Sequence, residues 1–267
     1  MESNVKTRVP KIIHLMWFSG DKYPDEIRIC IDSWKKVLPE YEIKVWTKDL
    51  AMECPFPYVT EALKCRKWAF AADVLRLYAL YKFGGVYMDS DVIVRKPLDD
   101  FLEDEVTFFQ EYHKSLAKKN KSGILDENGR RLGKTMPAGI GLQAAFMIAK
   151  KESPVIKNML NYYADKHFLY EDGSMATNMI APSIFALQLE KYGYKYKDEE
   201  QILEHGVKIL PSFYVAPGKS ELDKRNYAIH CINHSWQSDS LKFRLMQLLK
   251  APLRKLLGMD VKSLAKK

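Results

Sequence analysis

Apolar positions follow two periods along the first half of the chain. "VPKIIHLMWF" (Val9–Phe18) is a continuous apolar run opened by Pro10 and reads as a buried strand. "YEIKVWT" (Tyr41–Thr47) alternates apolar and polar, as a strand covered on one face does. Between them Ile27, Ile31, Trp34 and Leu38 recur at helical spacing up to Pro39. This strand–helix–strand order predicts a right-handed βαβ unit. A longer helix is expected over about Val59–Phe83, stopped by Gly84-Gly85, and then a strand through "GGVYMDSDVIV".

Further strands are expected at Val106–His113, Leu142–Lys150 and Val207–Pro217, and helices near 154–167 and 175–191. The Lys-, Gly- and Asn-rich stretch 114–140 reads as a surface excursion. There is no internal repeat. The mixture predicts one α/β domain over residues 1–240, with a Rossmann-like, mostly parallel sheet flanked by helices. Residues 241–267 form a separate tail.

With 47% hydrophobic and 28% charged residues, the chain has the make-up of a packed globular protein. No run approaches the roughly 18 uncharged apolar residues of a membrane span. "MESNVKTRVP" lacks the apolar core of a signal peptide, and the four cysteines show no C-x-x-C or metal-ligand rhythm, so a reducing cytoplasm is expected. The net charge of +8 is unevenly placed: eight Lys/Arg and one Asp lie in 241–267, so the tail supplies +7 and the body +1. That distribution argues against nucleic acid as a partner of the body. In the tail, Leu241, Leu245, Leu248, Leu249, Leu253, Leu256 and Leu257 share one helical stripe between basic residues, with a kink at Pro252. Such a helix is expected to lie on the surface of an anionic membrane, the alternative being a helix packed on the domain.

The candidate chemistry begins with Asp89 and Asp91. Along a strand they would share a face with Tyr87, about 7 Å apart. Ligands of α/β sheets bind at the carboxyl ends of strands. If the chain leaves its strand near Asp89, both acids stand at that rim and suit Mg²⁺ or Mn²⁺. A lone D-x-D is common, and two solvated acids at a strand end are the plain alternative. The preceding apolar helix adds Asp73 and Arg76, three apart and on one face. They are either a structural ion pair, or groups reaching the ligand rim, Asp73 toward a sugar hydroxyl and Arg76 toward sugar or phosphate. His14 reads as structural within its strand, and Gln143 as a polar strand edge. Thr177 and Asn178 are explained as well by capping and solvation as by contact with a ligand.

Taken together, "PKIIHLMWFSG", "ADVLRLYALYKFGGVYMDSDVIV" and "YAIHCINHSW" resemble the DxD-containing sugar transferases of glycosyltransferase family 32. These include capsular polysaccharide and outer-chain mannosyl enzymes and, more distantly, the catalytic domains of large clostridial glucosylating toxins. The resemblance implies a GT-A fold, a nucleoside diphosphate sugar donor (UDP-sugar the expected form), Mn²⁺ or Mg²⁺, and retention of anomeric configuration. By position, Trp17 would stack on the base, Asp73 and Arg76 hold the donor sugar, Tyr87 contact the nucleotide, Asp89 contact ribose and metal, and Asp91 bind the metal. Ser235 and Trp236 would close over the diphosphate and sugar. The late segment departs from the family pattern at Cys231 and His234, so His230 and His234 both stand as metal-ligand candidates. The expected enzyme transfers a hexose or N-acetylhexosamine to a surface or capsular glycan, free or lipid-linked, from the cytoplasmic face of the membrane. The alternatives are a nucleotide-sugar hydrolase or nucleotidyltransferase on a similar sheet, and a catalytically silent glycan-binding module. Only one glycine follows the first strand, which counts against a nucleotidyltransferase phosphate loop.

Overall fold

The computed structural model describes residues 8–120, 122–178, 180–216, 222–231 and 261–265. The expected βαβ unit is present as β1 (Ile12–Met16), α1 (Asp25–Val37) and β2 (Glu42–Trp46). Ile27, Cys30, Ile31 and Trp34 form the buried stripe of α1, with Asp25 and Glu26 at its positive end and Lys35 and Lys36 at its negative end. The Trp34 indole N–H donates to the Val92 carbonyl at 2.7 Å, tying the helix to the stretch after the acid pair.

The long helix expected over 59–83 is instead two. After α2 (Lys48–Met52), α3 (Pro57–Lys64) ends and α4 (Trp68–Phe83) begins around Arg66, which has a left-handed φ of 55°. The Lys67 N–H returns to the Ala62 carbonyl at 2.9 Å and the Arg66 N–H to Leu63 at 3.2 Å. This is a Schellman stop, made here without the glycine that normally signals it. Helix α4 is buried almost all round, which is why its apolar run lacks a polar face.

The strand expected through 84–94 also divides. β3 (Gly85–Met88) lies in the main sheet and β4 (Val92–Val94) in a second one, with a turn at 89–91 closed by the Val92 N–H on the Asp89 carbonyl at 3.1 Å. Gly85 has φ of +106°, and a Cβ there would lie 2.5 Å from the Ile12 carbonyl oxygen, so only glycine lets β3 close on β1. The chain continues through β5 (Val106–Tyr112), α5 (Lys114–Ala117), β6 (Ile140–Leu142), β7 (Phe146–Ala149), α6 (Pro154–Asn161) and α7 (Ala181–Leu189). Then come β8 (Gln201–Ile202), β9 (Val207–Leu210), β10 (Val215–Ala216), β11 (Ala228–His230) and the short α8 (Val261–Leu264). The expected 154–167 and 175–191 helices are thus shorter, and the late strand is split between β9 and β10.

The main sheet has the order β2-β1-β3-β7-β5-β9-β8, with β6 paired to β5. Neighbours are parallel at β2–β1, β1–β3 and β5–β9, and antiparallel at β3–β7, β7–β5 and β9–β8. Five of the seven strands on this path therefore point one way. The second sheet is β10-β11-β4, with His230 opposite Val92. The core divides on the two faces of the main sheet. Tyr87 faces the α3–α4–α6–α7 side, while Val86 and Met88 face α1 and β4. This is the alternation the sequence implied.

Part of the tail falls within the described residues. Val261 is buried beside Cys30, Ile93, Ile229 and Cys231, so this end of the chain packs on α1 and β11. The leucine stripe of 241–257 lies outside the described residues. All four cysteines are free. Among the described residues no helix is long and apolar enough to cross a membrane.

Candidate active site

The turn at 89–91 is held from both sheets. The Asp89 N–H donates to the Ala145 carbonyl at 2.9 Å, at the entry to β7, and the Cys231 N–H donates to the Asp91 carbonyl at 2.9 Å, just after β11. Because the chain turns here, the two acids do not stand a strand repeat apart. One carboxylate oxygen each of Asp89 and Asp91 and one ring nitrogen of His230 all lie within 4.8 Å of one another. His230 Nε2 is 3.4 Å from Asp91 Oδ1 and 3.9 Å from Asp89 Oδ2. Burial alone would discharge this imidazole, but Asp91 and then Asp89 and Glu111 outweigh it and push its pKa up to about 9. Its Nδ1 is buried with no hydrogen-bond partner among the described residues.

The other oxygen of Asp89 faces a different group. Tyr87 donates its hydroxyl to Asp89 Oδ1, and Arg76 Nη1 is 3.8 Å from the same oxygen. Arg76 is buried and fully engaged. It donates to the Ala72 carbonyl at 3.0 Å, the Ala144 carbonyl at 2.5 Å and Asp73 Oδ1 at 2.8 Å, and its guanidinium lies 4.6 Å over the Tyr87 ring. Burial opposes its charge, but Tyr87, Asp89 and Asp73 together raise its pKa, so it stays cationic. Asp73 receives only part of that cation. Burial pushes its pKa up to about 6, against the pull of Arg76 and of the Ala181 N–H. Burial likewise keeps the Tyr87 phenol protonated. The spacing of Asp73 and Arg76 was compatible with a purely structural pair or with a ligand role. The structure shows the ion pair, buried, with its guanidinium 3.8 Å from the first acid of the turn.

Trp17 follows β1 directly. β1 runs parallel to β3, with His14 opposite Tyr87, so Trp17 and the acid turn leave the sheet at the same end of the two strands. Its indole N–H donates to the Asp21 carbonyl at 2.8 Å, and its ring meets Tyr23 edge-on at 4.8 Å. Trp17, Tyr87, Asp89, Asp91 and His230 thus come from the same rim of the fold, with Asp73 and Arg76 reaching it from α4. His234, Ser235 and Trp236 lie outside the described residues. His14 is wholly buried; its Nε2 faces the Gly84 carbonyl at 2.8 Å and its Nδ1 accepts from the Trp46 indole at 3.2 Å, a structural arrangement.

Sequence reasoning missed several contributors. Glu111, in β5, adds to the negative field at His230. Tyr163, on the α6 side of Asp73, has a buried hydroxyl without a partner among the described residues. The Ala144 and Ala145 carbonyls position Arg76 and Asp89, and backbone groups leave no mark in a side-chain pattern. Gln143 is buried rather than a strand edge, with its amide nitrogen unpartnered among the described residues.

Two carboxylates and an imidazole within mutual reach fit a divalent cation: oxygen ligands suit Mg²⁺ and Mn²⁺, and imidazole is tolerated by Mn²⁺. Fold and site together define an α/β protein with an acid–acid–histidine cluster at the carboxyl rim of a sheet, beside a buried arginine. Residues 24–108 match the family described as "Glycosyltransferase sugar-binding region containing DXD motif". Over 108 residues it is 33% identical to inositol phosphoceramide mannosyltransferase 3 of Schizosaccharomyces pombe, covering 38% of this chain and 29% of that protein. Over 155 residues it is 26% identical to the toxin Afp18 of Yersinia ruckeri, covering 58% of this chain and 6% of the toxin. The chain therefore spans less than a third of either relative. Among solved structures, the PaToxG glycosyltransferase is similar over 69% of this chain and 70% of that one, with 19% identity and a TM-score of 0.49.

Proposed function

We propose that this chain is a metal-dependent, retaining glycosyltransferase that moves a hexose or N-acetylhexosamine from a nucleoside diphosphate sugar, UDP-sugar in the simplest case, to a hydroxyl of a surface glycan. The observation that carries the reading is the convergence of Asp89, Asp91 and His230 on one side of a turn whose other side is held by Arg76. Sugar and diphosphate need those two kinds of group side by side. Asp89, Asp91 and His230 would hold Mn²⁺ or Mg²⁺, which when bound offsets charge on the diphosphate.

The protein's own residues do the rest. Arg76, already desolvated and fixed by four neighbours, presents a cation without reorganising. Asp73 accepts from a sugar hydroxyl, and Tyr87 keeps Asp89 oriented. Trp17 offers an aromatic face at the same rim for the base. In the transfer, the bond from the anomeric carbon to the phosphate oxygen breaks with its electron pair leaving on the phosphate. The acceptor hydroxyl forms the new bond on the same face and gives its proton to the departing phosphate. Support for a hexose comes from the mannosyltransferase relative, whose name also makes a lipid-borne acceptor reasonable. The basic tail belongs to the same reading: it would hold the enzyme on the cytoplasmic face of an anionic membrane, close to such an acceptor.

A thermal-shift screen of UDP- and GDP-sugars with and without Mn²⁺ tests the reading. The expected result is a rise in melting temperature that needs both sugar nucleotide and ion, with slow metal-dependent hydrolysis of the same donor. A protein that binds glycans but neither binds nor hydrolyses any sugar nucleotide would be a binding module instead.

A further inference from the structure

We infer that Val261, in α8, is a positioning residue for the acid–acid–histidine cluster: it closes a small apolar core behind β4 and β11, the strands that carry the exit of the acid turn and His230. The idea rests on the reading of Asp89, Asp91 and His230 as metal ligands.

The second sheet is slight. Its strands β10, β11 and β4 have two or three residues each and pair at only two and three positions. Strands this short persist only with a covered apolar face. Side chains alternate along them. Val92, Val94, Val215 and Ala228 join the core shared with the main sheet. Ile93, Ala216 and Ile229 turn the other way, and there they meet Cys30, Cys231 and Val261 in a separate cluster.

Within that cluster Cys30 comes from α1, and Val261 comes from a later stretch of the chain altogether. Val261 is only 1% exposed. Ala265, whose N–H donates to the Val261 carbonyl at 3.0 Å, borders the groove between α1 and β4 with Ile29, Ser33 and Ile93. The segment thus lies along the groove and does not touch it at one point alone.

Backbone pairing ties this core to the site. His230 sits in sequence between Ile229 and Cys231, both members of the core, and stands opposite Val92, the residue after Asp91. The Cys231 N–H donates to the Asp91 carbonyl at 2.9 Å. The histidine and the second acid are therefore carried by neighbouring strands with one apolar backing. Opening that backing to water loosens the pairing that brings His230 to Asp91. Loss of the support around metal ligands typically costs about 10–100-fold in affinity.

The free cysteines make the test internal. Cys30 and Cys231 lie in the small core, and Cys54 is buried in the main one. Alkylation of the metal-free whole chain by N-ethylmaleimide, mapped by mass spectrometry, reads which core has opened. In Val261→Asp, Cys30 and Cys231 should react about tenfold faster or more, with Cys54 unchanged. Val261→Ala should show a smaller effect in the same direction, and Val261→Ile should restore protection. Mn²⁺ titration should show binding about tenfold weaker or more in Val261→Asp and within about twofold of wild type in Val261→Ile. The inference is overturned if Cys54 opens together with the other two in both Val261→Asp and Val261→Ala, since Val261 would then serve the whole fold. It is overturned equally if neither Cys30 nor Cys231 gains reactivity, or if Mn²⁺ affinity is unchanged in Val261→Asp. The two ideas fail separately. Selective opening in a protein whose wild type binds no Mn²⁺ sinks the metal reading and keeps Val261 as the support of the two strands. Equal Mn²⁺ binding in every variant keeps the metal reading and sinks the role of Val261.

Discussion

Arg76 and His230 flank one carboxylate from its two oxygens: the guanidinium stands 3.8 Å from Asp89 Oδ1, the imidazole 3.9 Å from Asp89 Oδ2. Asp89 thereby joins a permanently cationic side to a side whose charge depends on what the cluster binds. Asp91 lies on the second side, 3.4 Å from His230 Nε2.

Asp91→Asn should weaken Mn²⁺ binding by roughly 100-fold or more, since it removes a charged ligand rather than a supporting group. Transfer should be lost with it. Circular dichroism should be unchanged, because the backbone carbonyl of Asp91 that anchors Cys231 remains. Metal titration followed by a transfer assay checks both, and full metal-dependent turnover in this variant would contradict the assignment.

Removing the arginine has a different signature. Arg76→Ala leaves Asp73 and Asp89 buried or half-buried without their cation, a loss of about 3–5 kcal/mol of stability by comparison with other broken buried pairs. Arg76→Lys should recover part of that stability but little activity, because an ammonium cannot span Asp73, Ala72 and Ala144 with one planar fork. Urea unfolding set against donor turnover would show the split; a lysine variant with wild-type turnover would deny the guanidinium its geometric role.

Gly85→Ala should disrupt β3 more than any exposed substitution nearby. The added Cβ meets the Ile12 backbone at 2.5 Å, and the φ of +106° is disfavoured for alanine. We expect a loss of several kcal/mol, of the order set by overpacking plus backbone strain, read as a lowered urea midpoint. Donor binding should fall too, since β3 delivers the acid turn.

His14, opposite Tyr87 in the sheet, supplies a pH dependence of its own outside the acid cluster. Burial drops its pKa to about 4 from 6.5, so the folded chain holds it neutral while the unfolded chain takes up a proton. Below pH 6.5 the unfolded state binds more protons, so stability is complete above that pH and lost as pH falls toward 4. The shift corresponds to about 3 kcal/mol at most. In His14→Gln the slope of stability between pH 5 and 6.5 should flatten even if the variant is less stable throughout. An equal slope in both proteins would place the titrating group elsewhere.

Much of this arrangement could be read from residue order. The βαβ opening, the buried α4 and the alternation of Val86, Tyr87 and Met88 follow from apolar spacing, because burial imposes the periods of helix and strand. The acid pair, and Asp73 with Arg76, were visible because charge is rare inside apolar runs. The stop at Arg66 was not visible: a left-handed cap there is sustained by two backbone hydrogen bonds, and neither glycine nor proline announces it.

By itself the sequence determined which residues bear charge at the sheet's rim, for local spacing fixes which face a side chain takes. It did not determine that β3 and β4 enter different sheets, that β7 runs antiparallel between β3 and β5, or that His230 closes on Asp91 from far along the chain. Those depend on pairings between distant segments, whose backbone groups are alike in every residue, so only the assembled structure could decide them.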